Sequence, residues 1–162
     1  MNITEHRGGG IILLSFVAAF VLTIIPLPDF LKTLSPEFVT LTLIYWCMAL
    51  PNRIGLGKAW IAGLFLDVFR DTLLGQHALA LTLVTFFILQ LHQRIRVFPL
   101  WQQAISVGVL VLIQVALLLW IKGILGEKTD IWAALIHVLT TSLFWPPIFL
   151  LMRYLRRYYQ VS

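Results

Sequence analysis

The chain has 162 residues, of which 60% are hydrophobic and only 12% charged, with a mean hydropathy of +0.92 and a net charge of +5. A soluble domain has about a quarter of its residues charged, so this composition is that of an all-α, polytopic membrane protein. At about 20 residues per span, five or six spans consume nearly the whole chain, which excludes a soluble catalytic domain and leaves one transmembrane domain over 1–162.

The first ten residues, Met-Asn-Ile-Thr-Glu-His-Arg-Gly-Gly-Gly, form a weakly positive start. No small-residue cleavage site follows, so a cleaved signal peptide is not expected. The first span begins at Ile11 and runs apolar to Ile25, ending in Pro26-Leu27-Pro28-Asp29. Fifteen residues of helix cover about 22 Å, less than the roughly 30 Å hydrocarbon core, so kinked or interfacial helix up to Leu31 completes the crossing. Ser35-Pro36-Glu37 predicts a helix start, with Ser as N-cap, Pro at the first position and Glu in the first turn. That second span runs over 36–50 and stops at the turn Pro51-Asn52-Arg53; Cys47, the single cysteine, lies within it and packs as a small hydrophobe.

The third span, 55–74, holds the most unusual stretch, Gly63-Leu-Phe-Leu-Asp67-Val-Phe-Arg70-Asp71-Thr-Leu-Leu-Gly75. At helical spacing Gly63, Asp67 and Asp71 share one face, and Arg70 lies three residues from Asp67, within pairing reach. Ionisable groups at membrane depth face protein or water, and a small residue on the same face allows close helix packing. Asp67 is therefore expected to point inward and bond Gln114, His137, Thr140 or Thr141; a neutralised cluster at headgroup level is the equally weighted alternative. Gly75-Gln76-His77 reads as a tight turn before the fourth span, 78–91. A basic loop, His92-Gln93-Arg94-Ile95-Arg96, leads to the interfacial segment Phe98–Gln103 and the fifth span, 104–121. The polar loop Lys122–Asp130 precedes the sixth span, 131–152, which Pro146-Pro147 is expected to break by removing the amides that bond the carbonyls of Ser142 and Leu143. The hydroxyls of Thr140, Thr141 and Ser142 are placed to compensate.

Six spans put both termini on one side. The N-terminus, the 51–58 and 92–103 loops and the tail hold Arg7, Arg53, Lys58, Arg94, Arg96, Arg153, Arg156 and Arg157, eight of the twelve basic residues. The positive-inside rule makes that side cytoplasmic. Gly55-Leu56-Gly57-Lys58 lacks the spacing of a phosphate loop and reads as a helix entry. His6, His77, His92 and His137 have no ligand spacing, so no metal is expected. No nucleophile-base arrangement appears, so neither an enzyme nor a cofactor is expected. Most tryptophans fall near span ends as headgroup anchors.

Five segments, in order over nearly the whole chain, resemble the MreD family of rod shape-determining proteins from rod-shaped Gram-negative bacteria. They are Ile25–Asp29; Leu43–Trp46 with Ala49–Arg53; Gly63 with Leu66-Asp67 and Leu74-Gly75; Leu100–Ala104; and Trp145–Arg153. The sequence departs from the family pattern at Phe69-Arg70-Asp71, so the resemblance assigns no family-wide role to Arg70 or Asp71. The resemblance implies a fold similar to the membrane substrate-binding component of energy-coupling-factor transporters. It further implies an inner-membrane scaffold of cell-wall elongation that binds the bitopic protein MreC. Through MreC it would reach the actin-like MreB, a SEDS glycosyltransferase and a class B penicillin-binding transpeptidase, with no nucleic acid involved. Gly63, Asp67, Gly75, Pro146 and Pro147 are the candidates for helix packing or partner binding. A small-molecule-binding transporter subunit with Asp67 in its pocket is the runner-up. A proton or ion channel resting on Asp67 and His137 is third.

Overall fold

The computed structural model describes residues 8–161, so the leader reading, with His6 and Arg7, lies outside the described residues. Among the described residues the secondary structure is helical: α1 (Gly9–Ile24), α2 (Asp29–Lys32), α3 (Phe38–Ala49), α4 (Leu56–Phe69), α5 (Gln76–Ile95), α6 (Leu100–Ile124) and α7 (Ile131–Tyr158). Three of these, α5, α6 and α7, are long and apolar enough to cross a membrane by themselves, and α1 and α3 are shorter apolar helices.

Helix α3 is the axis of the bundle. Every residue from Val39 to Met48 is buried, and α1, α5, α6 and α7 all pack against it. A helix without a polar face has no side to offer water, and Phe-Val-Thr-Leu-Thr-Leu-Ile-Tyr-Trp-Cys-Met-Ala has none. Its polar groups turn inward: Thr42 Oγ1 bonds the Phe38 carbonyl at 2.8 Å, and Trp46 Nε1 donates to Ser15 Oγ of α1 at 2.8 Å. Around it, α4 packs chiefly on α5, and α6 on both α5 and α7.

Several sequence boundaries move. The first span divides into α1 and the short α2, because Pro26 and Pro28 bar helix between Ile25 and Pro28. Helix α3 starts at Phe38 and not at Pro36. Glu37 occupies the cap position without a side-chain capping bond, and Ser35 does not cap it. Gln76 and His77 are not turn residues but open α5, with Gly75 as its left-handed cap at φ 99°. Phe98–Gln103 is not a separate interfacial segment, since Leu100 onward is the first turn of α6. The break expected at Pro146-Pro147 is absent: α7 runs from Ile131 to Tyr158 with both prolines inside it and takes in the basic tail. The neighbouring hydroxyls are also used differently. Thr140 and Thr141 bond the carbonyls of Ile136 and His137 at 2.9 and 2.8 Å, and Ser142 Oγ donates across to the Ala104 carbonyl of α6 at 2.7 Å. Near the prolines α7 is bonded to α6, through Ser142 to Ala104 and through Trp145 Nε1, which donates to Gln103 Oε1 at 3.3 Å.

Candidate functional site: a buried ionic chain beneath an open cavity

Twelve residues of α3 rise about 18 Å, whereas the 25 of α6 rise about 37 Å. Glu37, at the cap position of α3, is 4% exposed. Above it opens a cavity of about 870 Å³, floored by Glu37, Arg70, His77 and His137 and rimmed by Lys122 and Lys128.

Glu37 is held from three sides. Arg70, just past the end of α4, grips it with both guanidinium nitrogens, Nη1 to Oε1 at 3.0 Å and Nη2 to Oε2 at 3.2 Å. His137 of α7 places Nε2 2.8 Å from Oε1, and the Glu37 backbone N–H donates to Thr141 Oγ1 at 3.2 Å. A two-pronged guanidinium–carboxylate pair is the strongest common form of this contact. Burial of the carboxylate makes those partners obligatory.

The chain continues through His77. Arg70 Nη1 is 3.3 Å from His77 Nε2, and His77 Nδ1 is 2.8 Å from Asp67 Oδ1. A guanidinium only donates and an ionised carboxylate only accepts, so this geometry fixes the proton of a neutral His77 on Nδ1. Asp67 is fully buried and caps the next helix: Oδ2 accepts from the N–H groups of Gly75 at 2.9 Å and Ala78 at 3.4 Å, and Oδ1 from the N–H of His77 at 2.8 Å. Thr72 Oγ1 adds a fourth residue, at 3.0 Å from Oδ1. A carboxylate facing the unbonded amides of a helix start is favoured by their partial positive charge.

These contacts correct the expected pairings. Asp67 does point inward, but its partners are Thr72, Gly75, His77 and Ala78; Gln114, His137, Thr140 and Thr141 are not among them. Arg70 does not pair with Asp67, because α4 ends at Phe69 and the guanidinium turns to Glu37. Asp71 leaves the shared face altogether. It sits exposed in the turn at φ 53°, a left-handed conformation unusual for a residue other than glycine.

Gly63 has a steric role. A Cβ there would lie 2.2 Å from Ala78 Cα and 2.5 Å from Ala78 N. The backbones of α4 and α5 can meet only at a glycine, and that approach brings the start of α5 to the Asp67 carboxylate one turn on. Pro146 and Pro147 lie in α7, away from the polar chain. Glu37 is the residue that sequence reasoning passed over, because a helix-start role explained it locally. Its signal was an acid opening an apolar span, with Arg70 the complementary base.

Among the described residues no group of His, Cys, Asp and Glu could hold a metal. Helical architecture, long apolar helices and buried, paired charges together define a polytopic membrane protein with a polar cavity at one end of its bundle. The comparison with known proteins gives the family. The model of the rod shape-determining protein MreD matches residues 6–155, and the chain belongs to that family. It is 35% identical over 146 residues to the rod shape-determining protein MreD of Haemophilus influenzae, covering 90% of each chain. No solved structure matches the chain. The protein is thus a rod-shape-determining membrane protein.

Proposed function

We propose that the protein is a non-catalytic scaffold of the cell-wall elongation machinery in the bacterial inner membrane, with both termini cytoplasmic. It binds the bitopic protein MreC and helps to position peptidoglycan synthases, and it reaches MreB only indirectly. The observation that carries this reading is the open cavity above Glu37 and Arg70. The basic-residue bias supports a periplasmic position for the cavity, on the side where the membrane-proximal segment of a single-span partner would emerge. Its floor is rigidly bonded, so it presents a fixed shape with lysines at the rim. A groove of about 540 Å³ between α1 and α4, apolar and flanked by Phe16, Phe20, Phe65 and Phe69, offers a transmembrane helix a surface within the bilayer.

Cysteines placed at Lys122 or Thr129 should cross-link to cysteines in the membrane-proximal segment of MreC, while one at Arg94 should not. Full co-purification of MreC without cross-links at the rim would sink the docking site. A periplasm-active reporter should be silent after Ser162 and active within 122–130; the reverse would overturn the orientation. The cavity volume is also within the range of small-molecule pockets, about 300–1,000 Å³. That favours the transporter-subunit reading second, which predicts a co-purifying small ligand lost in Arg70→Ala.

A further inference from the structure

The opposite end of the bundle carries a second polar site. Every described acidic residue lies at the cavity end: Asp29, Glu37, Asp67, Asp71, Glu127 and Asp130. The other end gathers Arg96, at the close of α5, with Arg153 and Arg156 of α7 around a narrow cleft of about 100 Å³. Among the described residues none of these three arginines has an ion-pair partner. Tyr45 of α3, a residue 2% exposed, lines the same cleft beside them. On its inner side the cleft is walled by Met48 and Phe149.

A topology signal alone requires positive charge anywhere in these loops. It does not require three guanidinium groups from two helices to converge on one recess with a phenol at its base. Guanidinium forks match phosphate oxygens two at a time, and basic recesses between transmembrane helices bind lipid head groups. The recess admits a phosphate group and is too small for a peptide helix, and its apolar inner wall suits the glycerol and first methylenes of a lipid. We propose that the cleft between α3, α5 and α7 binds a phosphate group, carried by an anionic membrane lipid or by free phosphate, through Arg96, Arg153 and Arg156.

The test uses the full chain in nanodiscs of phosphatidylcholine, with or without phosphatidylglycerol. Retained lipid is counted by native mass spectrometry, and unfolding is followed by heating. The wild type should retain phosphatidylglycerol selectively and melt higher in its presence. R153Q/R156Q should lose that retention by more than about tenfold, because each hydrogen bond from a guanidinium to a charged phosphate oxygen is worth about a factor of ten or more. R94Q/K58Q, with the same loss of charge at the same end and outside the cleft, should keep it. Stabilisation of the wild type by millimolar inorganic phosphate in neutral discs, absent in R153Q/R156Q, identifies free phosphate as the occupant; an effect of phosphatidylglycerol alone identifies the lipid. Equal losses in the two double variants would mean diffuse attraction and overturn the site. So would a wild type indifferent to both phosphatidylglycerol and phosphate, a result that stands even if R153Q/R156Q does not fold.

Discussion

Replacing Asp67 by alanine tests the polar chain at its most buried point. The substitution removes the acceptor for the amides of Gly75, His77 and Ala78 and for His77 Nδ1. Loss of a helix N-cap costs about 1–2 kcal/mol, and a buried group left without its partner about 1–3 kcal/mol more. For a chain of this size a total of about 2–5 kcal/mol corresponds to about 4–20 °C in melting temperature. Asp67→Asn is the informative companion. It keeps one oxygen for the His77 N–H and Nδ1, but it turns an NH₂ group towards the Gly75 and Ala78 amides, donor against donor. About 1–2 kcal/mol of loss is expected, between wild type and alanine. Cys47, the sole cysteine, is fully buried, so a thiol-reactive dye reports unfolding in detergent directly. Melting in the order wild type, Asn, Ala is expected, with rod-shape rescue falling in the same order. If Asp67→Ala melted with the wild type, Asp67 would not hold the start of α5. If Asp67→Asn kept its stability yet lost all function, the charge itself would be needed, and a ligand or ion role would replace the structural one.

Gly63→Ala should force α4 from α5 and lower melting by an amount equivalent to about 1–3 kcal/mol or more, whereas Gly57→Ala, with nothing within 4 Å of the added carbon, should be neutral or slightly stabilising; equal behaviour of the two would refute the close approach. Glu37→Leu should cost about 3 kcal/mol, at the low end for a buried pair because 30% of the Arg70 side chain is exposed. The double variant Glu37→Leu/Arg70→Leu should cost less than the two single losses combined, and strict additivity in the melting data would show that the pair does not interact. Among the described residues neither amide atom of Gln114 has a hydrogen-bond partner, although the residue is fully buried. Gln114→Leu should therefore raise stability by about 1 kcal/mol, and a fall in melting temperature would show that the amide has a partner.

Composition and hydropathy by themselves determined that the chain is helical and membrane-embedded. The bilayer obliges each span to satisfy its own backbone, a demand written locally, yet α4 ends at Phe69 and α7 runs on to Tyr158, beyond what hydropathy marked. The ordered segments carried the family, and the singularity of Gly63 and Asp67 was legible as a small residue and a charge one turn apart in an apolar run. Their partners were not. The pairing of Asp67 with Arg70 assumed that α4 continues, but the helix ends at Phe69, and three residues of spacing mean nothing beyond a helix end. The helix start at Ser35-Pro36-Glu37 assumed that a carboxylate in the first turn serves its own helix. Instead Glu37 is drawn to Arg70 and His137, 33 and 100 residues away. Helix α7 continues through Pro146 and Pro147, where the local rule for proline predicts a break. Only the tertiary structure decided which charges meet, because a buried charge takes whatever counter-charge the fold brings within reach, and sequence distance imposes no order on that choice.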